Sequence, residues 1–248
     1  MDVYNSQLAK DSRKLSNRLA LNSTTQKINF NKWLFKNMPK IEPQYKILDL
    51  GCGTGNQTKY FLKELGNQGR VIAIDASKDS LNLINEDFRL TKYEEDFDNL
   101  EKLKETLGNI KFDIINATYS IYYSKHPISL IKFLKENYLK KSGKFIIAGP
   151  TWKHQLFSEI SSCFGEDVAI RKTIDFMESV LVPNLKDTFG TFSLNYLINI
   201  SEFKTPEEAS LFVKNTIYGS NLQEDHLKKF FEGKDSLNFI KSSMIAIF

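Results

Sequence analysis

The stretch Ile47-Leu48-Asp49-Leu50-Gly51-Cys52-Gly53-Thr54-Gly55-Asn56 constrains this chain more than any other. It starts as a short apolar run, which suits a parallel strand buried on both faces. Three glycines at alternate positions follow, the mark of a backbone that turns tightly and lets a ligand approach. Phe61, Leu62 and Leu65 then recur at helical spacing among good helix formers. Strand, glycine turn and helix make the first unit of a doubly wound α/β domain, whose ligand rests outside the strand's carboxyl end.

A dinucleotide turn needs the pattern G-x-G-x-x-G. Gly51 and Gly53 fit it, but the third slot is Asn56. Asp49 stands two residues ahead of the first glycine, where a carboxylate repels a pyrophosphate and suits a ligand with an ammonium group. An ordinary tight strand-to-helix turn is the alternative. The pattern D-x-G-x-G-x-G resembles motif I of the class I S-adenosylmethionine methyltransferases. The resemblance implies S-adenosylmethionine as cofactor, with Asp49, Gly51, Cys52, Gly53 and Asn56 in its binding turn.

Val71–Ile74 reads as the second strand and ends in Asp75, about 20 residues after the turn, where an acid can hold a ribose diol. Capping of the next helix is the plainer role for such an acid. Ala76 and Ser77 follow, and Leu81, Ile84 and Phe88 predict a helix. Thr91–Asp96 predicts a short, charged strand at a sheet edge. Asp96-Phe97 resembles the acid-plus-apolar pair with which the family holds adenine; a solvated acidic loop is the alternative. Leu100, Leu103 and Leu107 predict a helix, and Phe112–Asn116 the fourth strand. The resemblance puts the end of that strand, Asn116 and Ala117, beside the methionine part of the cofactor. The continuation Thr118-Tyr119-Ser120-Ile121-Tyr122-Tyr123 lacks the N/D-P-P-Y motif of amino methyltransferases. It also lacks the acid cluster of metal-dependent catechol enzymes, so no metal is expected. It is similar to the small-molecule branch grouped with ubiquinone-biosynthesis (type 11) enzymes. The tyrosines line the pocket or fill the core.

His126-Pro127 opens the next helix, with Ile128, Ile131 and Leu134 towards the sheet. Lys141–Lys144 predicts a turn and Lys144–Ala148 the fifth strand. Helices are expected over 154–164 and 174–185, so residues 151–190 read as a cap insertion. Phe192–Ile200 predicts a strand, Thr205-Pro206-Glu207-Glu208 a helix start, Leu222–Phe231 a helix and Phe239–Phe248 a last strand. Residues 46–248 are thus expected to form a Rossmann-like, seven-stranded sheet, for which the resemblance implies the order 3-2-1-4-5-7-6. Residues 1–45 form a helical arm: a helix over 29–37, carrying Phe30, Trp33 and Leu34, and a weaker one with Leu8, Leu15 and Leu19. The arm lies over a cofactor site or simply pads the sheet.

At 248 residues the chain is one domain with additions. Its net charge of +4 is spread along the chain, which permits nucleic-acid binding without indicating it. Two cysteines form no framework, which fits a reducing compartment. Neither a leader pattern nor an apolar run of about 20 residues is evident, so no membrane association and a cytoplasmic location are expected. Methyl transfer to an alcohol needs a general base, and histidine suits that task near neutral pH. Of His126, His154 and His226, only His154 falls where a loop overlooks the pocket. It is the nominee for base or substrate-orienting group, with Tyr119 beside it and Tyr4 and Tyr122 as weaker pocket contacts. The expected activity is methylation of an oxygen or nitrogen of a small-molecule biosynthetic intermediate. A tRNA or protein methyltransferase and a non-catalytic cofactor-binding subunit are the alternatives.

Overall fold

The computed structural model describes residues 12–248; Tyr4 and Leu8 lie outside them. The strands are β1 Lys46–Leu50, β2 Arg70–Asp75, β3 Leu90–Glu94, β4 Phe112–Thr118, β5 Leu139–His154, β6 Ser193–Glu202 and β7 Asn238–Ile247. They form one sheet in the expected order, β3-β2-β1-β4-β5-β7-β6. The first five run parallel, and β7 lies antiparallel between β5 and β6.

Both faces of the sheet are covered, as a parallel sheet requires. Successive side chains of β1 alternate between the faces. Leu48 and Leu50 join one core with Phe112, Phe145 and Leu134, while Ile47 joins the other with Leu34 and Phe61. Each fully buried phenylalanine stabilises the fold by about 1.5–3 kcal/mol.

The helices are α1 Ser12–Thr25, α2 Phe30–Asn37, α3 Asn56–Glu64, α4 Lys78–Asn82, α5 Leu100–Leu107 and α6 Pro127–Tyr138. After β5 come α7 Gln155–Phe164, α8 Val168–Phe176 and, beyond a π-helical turn at Met177–Leu181, α9 Val182–Thr188. The last two are α10 Pro206–Lys214 and α11 Glu224–Glu232. Several begin as the sequence predicts. Asn29 and Thr205 accept backbone N–H groups as N-caps, and Pro127 and Pro206 open their helices. No helix among the described residues is long and apolar enough to cross a membrane.

Three local expectations are corrected. The helix over Leu81 to Phe88 stops at Asn82, and Phe88 is 71% exposed. Asp87 accepts both the backbone N–H and the guanidinium of Arg89, which turns the chain into β3 instead. The turn at Lys141–Lys144 is absorbed into β5 as an irregularity: Phe112 pairs with Leu139 and Ile114 with Lys144. β5 also runs on past Ala148 to His154, because β7 continues beside it. The segment 151–190 divides its work. Thr173 and Ile174 of α8 face a cavity, whereas Met177, Leu181 and Leu185 fill the main core.

Candidate active site

A cavity of about 480 Å³ is built on the turn after β1. Gly51, Cys52, Gly53 and Thr54 line it, with Asn56 and Gln57 from the first turn of α3. Gly51 has φ +67°, and a Cβ there would stand 2.3 Å from the Cβ of Ser120. Only glycine fits. Gly55, at φ +80°, starts α3, and Ile84 fills the space a Cβ would need. The opening N–H groups of α3 lack helical partners and carry the positive end of the helix dipole to the cavity wall.

Asp75 holds this turn in shape. Its Oδ2 accepts the Gly53 N–H at 2.7 Å and its Oδ1 accepts the Ser77 N–H at 2.9 Å. Ser77 in turn caps α4. Phe97 approaches from the loop after β3, 3.5 Å from where a Gly51 Cβ would stand. Asp96 beside it is exposed and accepts the Asp98 N–H. Neither these residues nor Ala76 belong to the cavity lining.

Asp49 does not face the cavity. It is 1% exposed and shares the Ile47 side of β1, so it points at α3. Thr58 donates its hydroxyl to Oδ2 at 2.6 Å, and the Asn116 amide donates to Oδ1 at 2.8 Å. Burial pushes the carboxyl up to about 6, against those two bonds. Thr118 then donates to Asn116 Oδ1 at 2.9 Å. Asp49 and Asn116 thus clamp β1, β4 and α3 from inside, and Ala117 is buried with them.

Tyr119 and His154 both line the cavity. Tyr119 takes φ +56°, which is uncommon for a residue with a Cβ. That bend ends β4 and lets the phenol share a 2.7 Å hydrogen bond with Ser243 of β7. Burial drives its pKa up to about 12, so it stays neutral. His154 is 4% exposed. Its Nδ1 accepts the Phe157 N–H at 3.3 Å as the N-cap of α7, which leaves the proton on Nε2. Burial, helped by the charge of Lys241, lowers its pKa to about 3. A ring held this way donates a hydrogen bond rather than accepting a proton. Trp152, two residues earlier, is 56% exposed and outside the lining.

The remaining wall comes from the arm helix α1, which the sequence puts either over a cofactor site or against the sheet, and from residues that the sequence pattern does not single out. Leu15, Arg18, Leu19 and Asn22 of α1 lie along it, one helical face. Opposite are Lys241 of β7, Phe212 of α10 and Tyr218 from the loop after it. Lys241 Nζ donates to Asn22 Oδ1 at 3.0 Å and lies 5.4 Å from the centre of the Phe212 ring. Burial, with the charge of Arg18, lowers the Lys241 pKa to about 7. Among the described residues, no group of three or more histidines, cysteines or acids is placed to hold a metal ion.

Residues 41–202 match the family model described as a methyltransferase domain. No curated protein matches the sequence significantly. Solved structures share the fold. One is a Bacillus halodurans C-125 protein provisionally assigned as a methyltransferase (14% identity, 87% of this chain and 96% of that one, TM-score 0.57). Another is the YcgJ protein of Bacillus subtilis (10% identity, 88% and 95%, TM-score 0.57). A third is the MccD protein (15% identity, 88% and 94%, TM-score 0.54). The chain spans 57% of a protein solved with the Trm112 methyltransferase activator of Haloferax volcanii (20% identity, 58% of this chain, TM-score 0.44).

Proposed function

From the premise that this chain belongs to the methyltransferase-domain family and is a S-adenosylmethionine-dependent enzyme, we propose that it methylates an oxygen or nitrogen of a small-molecule biosynthetic intermediate. One observation carries the reading: the glycine turn and the α3 N-terminus form the floor of a cavity that α1, α8 and the loop after α10 wall in. That volume suits a small molecule. A cytoplasmic location goes with this reading.

The residues fit the cofactor. Gly51 packs directly on Ser120, which holds the turn in the shape that brings Gly51, Cys52, Gly53 and Thr54 to the cavity wall. The α3 N-terminus, lined by Asn56 and Gln57, suits the cofactor's carboxylate. Asp75 takes the ribose and Phe97 packs near the adenine, with Asp96, Ala76 and Ser77 around them. Asp49, Asn116 and Ala117 act from behind, by fixing the strands that carry the turn. When bound, S-adenosylmethionine supplies a sulfonium methyl for in-line displacement. The chain's part is to hold the acceptor atom about 3 Å from that methyl and keep water out. Tyr119 and His154 serve by orientation: one fixes the end of β4, the other offers Nε2–H to the acceptor.

The test is calorimetric titration with S-adenosylhomocysteine, followed by transfer of labelled methyl into size-fractionated cell extract. Label in the small-molecule fraction is expected. Label confined to tRNA or protein would overturn the acceptor class, and failure to bind S-adenosylhomocysteine would overturn the cofactor site.

A further inference from the structure

The far half of the cavity has a charge pattern that methyl transfer alone does not call for. Its wall contains two cationic side chains, Arg18 and Lys241, and no carboxylate among the described residues. Neither forms an ion pair with a described acid. Arg18 lines the same cavity as Tyr119, Tyr122, Tyr123, Tyr218 and Lys241. Two cations in a half-buried space that no described carboxylate lines repel, and the repulsion is relieved by an anion between them.

A third group completes the set. The Tyr218 hydroxyl is sealed from solvent and makes no hydrogen bond among the described residues. Thr216, two residues earlier, gives its hydroxyl proton to the Val213 carbonyl at 2.6 Å and makes no hydrogen bond with the phenol. A buried, unused donor costs about 1–3 kcal/mol unless something accepts from it. The Tyr218 ring stands edge-on to His154, 5.6 Å between centres, and His154 sits across the strand pair from Lys241.

The helix α1 fixes where this set lies. Leu15 touches the cofactor turn at Gly53, and Asn22 touches Lys241. Seven residues of helix separate the two contacts, about 10 Å along the axis. Lys241 therefore stands about 10 Å along the helix from the turn, with Arg18 between them, one helical turn beyond Leu15.

We propose that the acceptor is anionic, and that Arg18, Lys241 and Tyr218 grip its oxyanion, a carboxylate or a phosphate, while the atom to be methylated lies nearer the turn. The proposal deepens the methyltransferase reading and rests on it for the word acceptor. The oxyanion is a handle that sets the register of the molecule in the cavity.

The test uses three probes of one shape on the full chain saturated with S-adenosylhomocysteine: benzoate, phenyl phosphate and benzamide. At least one anion is expected to bind about 10-fold or more tightly than benzamide, and the tighter of the two identifies the oxyanion. Lys241→Met and Tyr218→Phe should each erase about 10-fold of that preference, with S-adenosylhomocysteine affinity within about 2-fold of the parent. Thermal melts of both variants verify that they fold, and Arg18→Met, on the half-exposed arm helix, should lose the same preference; a variant that keeps it removes Arg18 from the grip. Equal binding of benzamide, or no binding of either anion at tens of millimolar, overturns the proposal. So does a loss of S-adenosylhomocysteine affinity in Lys241→Met as large as the loss for the anion, because the cation would then belong to the cofactor. Should the parent not bind S-adenosylhomocysteine, the same titrations are run without it: a retained anion preference leaves the oxyanion site standing while the cofactor site falls.

Discussion

Asn22 and Lys241 meet 3.0 Å apart at the cavity wall, although 219 positions separate them in the chain. The contact ties the arm helix to β7, the central strand of the antiparallel end of the sheet. It also places a half-buried lysine in a cavity where, among the described lining residues, Arg18 carries the like charge and His154 is held neutral.

Lys241 makes stability depend on alkaline pH. Burial lowers its pKa from 10.5 to about 7. Between those values the unfolded chain holds the proton and the folded chain does not, so this group's contribution rises with pH across the window and is flat below it. Urea unfolding at pH 7 to 10 should show a slope that Lys241→Met abolishes; parallel slopes in parent and variant would remove the lysine from the account. An oxyanion probe should bind with uptake of a proton near pH 8, visible as buffer-dependent binding enthalpy.

Asp49 has the opposite sign. Its folded pKa is raised from 3.8 to about 6, so the stability it contributes is greatest below the lower value and falls by roughly 3 kcal/mol as pH rises to the upper one. Asp49→Asn should flatten that stretch of the stability profile. It should also keep a folded protein, since an amide can still bond to Thr58 and Asn116.

Asp75→Ala should weaken S-adenosylhomocysteine binding by about 1.5–3 kcal/mol, the scale of hydrogen bonds to a charged group. Gly53 loses its partner in the same variant, so the turn loosens as well. Unchanged affinity would reject the ribose role.

His154 should contribute no limb to the pH–rate profile near neutrality, because its pKa is held near 3. His154→Asn preserves an acceptor for the Phe157 N–H and should retain most stability, while His154→Ala should lose about 1 kcal/mol with the cap. A kinetic pKa near 6.5 that vanishes in His154→Asn would restore the histidine as base.

Gly51→Ala should abolish cofactor binding. The added Cβ meets Ser120, and φ +67° disfavours any side chain. Ser120→Gly in the same chain should restore little, since only the collision is relieved.

The sheet was legible because each parallel strand is an apolar run closed by a turn signal, and the glycine turn announces the cofactor end. Asp49 drew notice by its place beside the glycines, but its direction is set by the pleat and by Thr58, nine residues on. His154 was visible as a residue near the pocket. Its role as a cap depends on β5 continuing beyond Pro150, and nothing in the local pattern foretells that β7 extends its partner. Arg18, Tyr218 and Lys241 escaped attention for a simpler reason. They lie on a weakly patterned helix, a loop and a polar stretch of β7, and only the folded chain brings them to one space.

The extension of β5 and β7 past the parallel strands carries a consequence for how such an enzyme diversifies. On the proposed assignments, the cofactor is read by a loop and a helix tip, and the acceptor by a hairpin and its covering helices. A lineage could rewrite the second text and leave the first untouched, acquiring new chemistry's customers without relearning the chemistry.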